Sequence, residues 1–129
     1  DMVIHLGMVK DARFSDVGEE IRQIKRSCEG GLLKVIVETC LLTREEKIEL
    51  CHVVSDSGAD FIKTSTGFST GGATREDIAL FRKYCAPSLK IKAAGGIRTL
   101  QDAEDLLSLG ADRLGSSSLV RLCEQYAGE

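Results

Sequence analysis

The stretch Ser57-Gly-Ala-Asp-Phe-Ile-Lys-Thr-Ser65 sets a glycine, a small residue and an acid directly ahead of a short apolar run. A glycine that stops a helix, followed at once by a strand-like run, is an α-to-β junction. Leu109-Gly-Ala-Asp112 repeats that junction about 52 residues further on, with room for two βα units between them. Outward from these junctions, Thr43-Arg-Glu-Glu46, Thr74-Arg-Glu-Asp77 and Thr99-Leu-Gln-Asp102 share another piece of punctuation. In each, a hydroxyl can cap a helix while the acid three residues on answers the cap or the helix dipole. Apolar residues at helical spacing follow, such as Ile78 with Phe81, or Ala103 with Leu106 and Leu107. Further helices are expected over about Asp16 to Cys28 and from near Ser118.

Between the helices lie runs that are apolar on both faces: Met2 to Leu6, Leu33 to Glu38, Phe61 to Ser65, Leu89 to Ala93 and Arg113 to Gly115. Strands buried on both faces, in strict succession with helices, belong to a parallel sheet covered by helices. A doubly wound sheet also repeats βα units, but no strand here feeds a G-x-G-x-x-G turn. The fold class expected is α/β, as a partial (β/α)8 TIM barrel of five parallel strands with intervening helices.

Size qualifies that expectation. A closed barrel takes about 250 residues and eight strands, and the chain has 129 residues. One incomplete domain over residues 1–129 is expected, a fragment matching barrel strands 4 to 8 and lacking the first three βα units. Its open edges should pair with that missing N-terminal segment or with another copy in a homo-oligomer.

The composition, 43% hydrophobic and 29% charged, is that of a globular protein. The apolar runs fall far short of the roughly 18 residues that cross a bilayer, and no basic-then-apolar leader opens the chain. A cytoplasmic location and no membrane partner are expected. A formal charge of −3, with basic residues scattered among acids, speaks against a nucleic-acid partner. The five cysteines are odd in number and form no C-x-x-C pair, so reduced buried thiols are expected rather than disulfides or a metal site. His5 and His52 have no metal-like partner at helical spacing.

Two lysines stand in odd places, Lys63 in Phe61-Ile-Lys-Thr-Ser-Thr-Gly-Phe68 and Lys92 in Lys90-Ile-Lys-Ala-Ala-Gly-Gly-Ile97. An ammonium in a sheet core loses several kcal/mol of hydration unless it is paired or neutralised. One such lysine reads equally as a structural ion pair or a functional group. Two on adjacent strands converge where barrel enzymes keep their catalytic residues. Mutual repulsion and desolvation then favour a neutral amine able to attack a carbonyl, with Lys63 as nucleophile and Lys92 as its electrostatic tuner. Lys90, at a strand start, is expected in solvent. Gly95-Gly96 after one strand, and Gly115-Ser-Ser-Ser118 leading into a helix, supply bare N–H groups, hydroxyls and a helix N-terminus for an anion. Asp1 reads as a proton shuttle or a solvated end, and Glu38 as a candidate acid or a lysine partner.

These blocks carry a resemblance. Asp-Met-Val-Ile near the start, Lys34-Val-Ile-Val-Glu-Thr-Cys40, Phe61-Ile-Lys-Thr-Ser-Thr-Gly-Phe-Ser-Thr-Gly-Gly-Ala73, Ile91-Lys-Ala-Ala-Gly-Gly-Ile-Arg98 and Gly115-Ser-Ser-Ser118 resemble the deoxyribose-phosphate aldolases along essentially the whole chain. The resemblance implies a class I aldolase with no metal or other cofactor. Such an enzyme splits 2-deoxy-D-ribose 5-phosphate reversibly into D-glyceraldehyde 3-phosphate and acetaldehyde through a lysine Schiff base. It implies Lys63 as the imine-forming lysine, Lys92 as the second lysine and Asp1 in the proton relay. It also implies Gly67, Gly95, Gly96, Gly115, Ser117 and Ser118 around the substrate phosphate. Departures are His5 where Asn is frequent, Ala94 where Ser is common and Ser116 where Ala is common. The chain alone is expected to turn over weakly or not at all. Two alternatives stay open: another Schiff-base barrel aldolase, and a non-catalytic half-barrel module with a phosphate site.

Overall fold

The computed structural model describes residues 1–127, so the last two residues of the expected domain lie outside the described residues. The elements run β1 (Met2–Val3), α1 (Leu6–Lys10), α2 (Phe14–Ser27), β2 (Lys34–Ile36), a 3-10 turn (Thr39–Leu41), α3 (Arg44–Ser55), β3 (Phe61–Lys63), α4 (Arg75–Tyr84), β4 (Lys90–Ala94), α5 (Leu100–Leu109), β5 (Arg113–Gly115) and α6 (Ser117–Ala127).

All five strands are parallel, in the order β1-β2-β3-β4-β5. Each strand lies beside the next in the chain, so the sheet has no point at which the order reverses. A doubly wound sheet has such a point; a barrel wall does not.

The helices start where the threonines predicted. Thr43 and Glu46 form a complete capping box, with Glu46 N donating to Thr43 Oγ1 at 3.2 Å and Thr43 N donating to Glu46 Oε1 at 2.8 Å. Thr74 and Thr99 accept from the backbone N–H groups of Asp77 and Asp102. The repeated junctions do the same job twice. Asp60 accepts from Leu33 N at 2.8 Å and Asp112 from Ile91 N at 2.9 Å, each carboxylate gripping the start of the neighbouring strand. The backbones reciprocate, Asp60 N to Leu33 O and Asp112 N to Ile91 O. The acid after Gly-Ala thus sets strand register, and its recurrence follows from the recurring βα unit.

Alternation along the short strands separates two layers. Val35, Ile62 and Ile91 form one register row, fully buried in a cluster with Ile21, Leu50, Val54, Ile78 and Phe81 of the helices. The next row, Ile36, Lys63, Lys92 and Arg113, lies on the opposite face of the sheet. Phe61 is buried there beneath Lys90 and the Arg113 guanidinium, which lies 4.7 Å from its ring. Lys90 is exposed as expected.

Some local expectations fail for identifiable reasons. The first strand ends at Val3 rather than Leu6, because His5 caps a helix that went unforeseen: its Nδ1 accepts from Met8 N at 3.2 Å. Histidine is not a usual cap, so α1 left little signal. Only Cys51 and Cys85 are buried; Cys28 is half-buried, and Cys40 and Cys123 are exposed because the 3-10 turn and α6 stand outside the covered layer. Among the described residues no helix is long and apolar enough to cross a membrane.

Candidate active site

At the C-terminal ends of β3, β4 and β5 a cavity of about 440 Å³ opens. Lys63, Thr66 and Gly67 line it from β3 and its loop, and Gly95, Gly96 and Arg98 from the turn after β4. Gly115, Ser117 and Ser118 close the far side, at the end of β5 and the first turn of α6. Gly95 and Gly96 both have positive φ, 83° and 72°, a pair of left-handed residues that glycine adopts without strain. The first turn of α6 leaves backbone N–H groups without helical partners, beside the Ser117 and Ser118 side chains. Ser116 fixes that turn: its hydroxyl donates to Ile97 O at 2.5 Å and accepts from Leu119 N at 3.3 Å. The serine that stands where alanine is common therefore ties the last helix to the β4 turn.

The amines converge from neighbouring strands. Lys63 and Lys92 are register partners. Lys63 Nζ donates to Asp1 Oδ2 at 2.8 Å, and the other Asp1 oxygen lies 3.4 Å from Lys34 Nζ. Lys92 has no ion-pair partner among the described residues. Burial pushes its ammonium below the usual lysine value, and the charges of Lys63, Lys34 and Arg113 push the same way. Asp1 reaches Lys63 and not Lys92, which keeps no counter-ion beside it among the described residues. Gly115 makes room for this arrangement: a Cβ there would sit 3.2 Å from Lys92 Cε.

All the residues expected at the anion pocket line the cavity, and Lys63 joins them. Asp1 and Lys92 stand behind it, the first on Lys63 and the second against Gly115. Glu38 meets no lysine; its buried carboxylate accepts instead from the backbone N–H and the hydroxyl of Thr66. The sequence reading passed over Thr66, Arg98 and Lys34 as site residues. Thr66 and Arg98 sit inside or at the end of the glycine-bearing motifs, and the Arg98 guanidinium has no ion pair among the described residues. No group of His, Cys, Asp and Glu among the described residues is arranged to hold a metal ion.

The chain and its fold have known counterparts. A family model described as DeoC/LacD family aldolase matches residues 1–121. A deoxyribose-phosphate aldolase of Streptococcus agalactiae serotype Ia is 62% identical over 129 residues, all of this chain and 58% of that protein. One from Streptococcus pyogenes serotype M4 is 60% identical over 127 residues, 98% of this chain and 57% of that one. Among solved structures, the aldolase QR15 superposes with a TM-score of 0.90 at 39% identity, covering 98% of this chain and 57% of that chain. The tetrameric deoxyribose phosphate aldolase of Aeropyrum pernix gives 0.79 at 32% identity, over 88% and 50%. The chain thus spans half to somewhat over half the length of these relatives. By family match and fold together, the chain belongs to the DeoC/LacD family of aldolases.

Proposed function

We propose that this chain carries the catalytic half of an aldolase that reversibly cleaves 2-deoxy-D-ribose 5-phosphate into D-glyceraldehyde 3-phosphate and acetaldehyde. One observation carries the reading: Lys63 Nζ is held by the Asp1 carboxylate, beside Lys92, at the rim of a polar cavity walled by glycines and the start of a helix. The phosphate occupies the end formed by Gly67, Gly95, Gly96, Gly115, Ser117 and Ser118. Lys63 lines the same cavity, and in this reading the sugar's C1 carbonyl faces its amine.

In the reaction, the amine of Lys63 adds to C1, and loss of water leaves an imine. The protonated imine draws the C2–C3 bonding pair toward nitrogen as the C3 hydroxyl gives up its proton, releasing D-glyceraldehyde 3-phosphate and leaving an enamine. Protonation at C2 and hydrolysis return acetaldehyde and the free amine. Asp1 moves protons at Lys63 and the carbinolamine hydroxyl. Lys92, its register partner on β4, adds a second, poorly solvated amine beside the reacting one.

The longer relatives support a second part of the reading, in which three further βα units ahead of β1 close the barrel and complete the domain. Action in the cytoplasm, and assembly of the closed barrel into a homo-oligomer, belong to the same proposal. Borohydride added with acetaldehyde should leave an ethyl group on Lys63, and Lys63→Ala should abolish it; an adduct confined to Lys92 would overturn the assignment. A half-barrel module without turnover is the rival reading, and it draws on the partial coverage of the relatives. Labelling of Lys63 without cleavage of the sugar phosphate, even in a closed barrel, would favour that rival.

A further inference from the structure

Glu38 is the one acid of β2's C-terminal end, and the cavity chemistry described above leaves it unused. Its side chain is buried, at 5% exposure, yet it pairs with no cation among the described residues. Its backbone is left-handed, φ 57° and ψ 65°, a conformation an L residue holds only when its surroundings demand it. The demand is visible one strand away. Glu38 Oε1 accepts from Thr66 N at 3.1 Å and Oε2 from Thr66 Oγ1 at 2.7 Å. The same Thr66 hydroxyl accepts from Phe68 N at 3.1 Å. Between them Gly67 adopts a φ of 91°, and Thr66 and Gly67 form one wall of the anion cavity.

The rest of the loop rests on the same segment. Cys40 Sγ donates to Ser69 Oγ, and a Cβ on Gly71 would press on Cys40 Cβ at 2.9 Å. The far end is pinned to the opposite wall, where Gly72 packs directly on the Gly95 backbone and Ala73 N donates to the carbonyls of Ala94 and Gly95. Glu38 is thus the buried anchor of a loop that bears anion ligands without touching the anion itself. A negative group behind an anion pocket costs binding energy unless its hydrogen bonds are needed, and here both of its oxygens are engaged by the loop.

We propose that Glu38 is a positioning residue of the phosphate pocket: through Thr66 it sets the backbone of the Thr66–Phe68 turn, so that Gly67 is held in ligand geometry. The inference rests on the phosphate site of the preceding section and adds the group that shapes it. Glutamine at position 38 keeps the size but has one acceptor oxygen where the carboxylate has two, so either the Thr66 N–H or the Thr66 hydroxyl proton loses its acceptor.

The test uses the full encoded chain and inorganic phosphate as the titrant in calorimetry, alongside borohydride trapping of acetaldehyde on Lys63. Glu38→Gln and Thr66→Val should each weaken phosphate binding about tenfold, and Thr66→Ser should stay within about twofold of the parent. In Glu38→Gln, trapping on Lys63 should fall by a smaller factor than phosphate binding does, which separates this proposal from the Schiff-base assignment. Wild-type phosphate affinity in Glu38→Gln, or parallel loss of phosphate binding and trapping, overturns it, as does a parent chain that binds no phosphate. Should Glu38→Gln not fold, the Thr66→Val and Thr66→Ser pair carries the decision.

Discussion

Lys63 on β3 and Asp1, just ahead of β1, meet across the whole width of β2, with Nζ and Oδ2 2.8 Å apart. Sixty-two positions separate them in the chain. The contact exists because consecutive strands lie side by side and in register, so that the row through Val3, Ile36, Lys63 and Lys92 faces one way.

Removing the nucleophile should be the most costly change. Lys63→Ala is expected to lower turnover of 2-deoxyribose 5-phosphate by about three orders of magnitude or more in the closed barrel. Lys63→Arg should not restore it, since a guanidinium cannot become a neutral amine at working pH. Steady-state kinetics with aldehyde detection decides; a Lys63→Arg variant with parental turnover contradicts imine chemistry at this position.

Lys92 should show a conflict between stability and function. Its folded pKa lies below the usual lysine value of 10.5, so the folded state carries a penalty wherever the amine is charged. Between the depressed pKa and 10.5 the unfolded chain binds more protons than the folded one, and stability rises with pH across that window. Lys92→Met should therefore raise the melting temperature at neutral pH, by an amount that shrinks as the pH climbs toward 10.5, while aldolase activity falls. Thermal melts at several pH values check the trend, and a variant less stable than the parent at pH 7 contradicts it.

The register acid should matter most in mild acid. The Lys25 ammonium, and after it the Leu33 N–H, hold the Asp60 carboxyl below its ordinary value of 3.8. A depressed carboxylate contributes stability that is present above 3.8 and lost as the pH falls through the lower folded value. Asp60→Asn keeps an acceptor for Leu33 N but loses the charge facing Lys25, and should cost about 1–2 kcal/mol near pH 7. Denaturant titrations at pH 7 and pH 3 should show a difference between variant and parent that narrows in acid; a constant difference would falsify the ionic account.

Closure of the barrel should restore rate. The chain of residues 1–129 by itself is expected to cleave 2-deoxyribose 5-phosphate weakly, because a catalytic group displaced by about 1 Å loses on the order of a hundredfold. A segment of a relative spanning its first three βα units, supplied in trans, should bind the exposed edge at Val3 and raise the rate. Full activity of residues 1–129 alone contradicts the proposal.

What was legible in the sequence was local. The capping threonines at 43, 74 and 99, the stop glycines at 58 and 110, and the two-faced apolar runs announce a βα succession, since caps and periodicity act within a few residues. The family motifs also name Lys63, Lys92 and the glycines of the pocket. The short helix Leu6–Lys10 was not legible, because a histidine performs a capping role that residue preference assigns to others.

Tertiary structure alone decided the partners. That Asp1 reaches Lys63 and not Lys92 depends on which ends of a parallel sheet lie within side-chain reach. That Glu38 grips Thr66 rather than a lysine depends on a left-handed turn at the end of β2. Charges and hydrogen bonds act over a few ångströms in space, and a chain folded into adjacent strands brings together residues that its linear order keeps tens of positions apart.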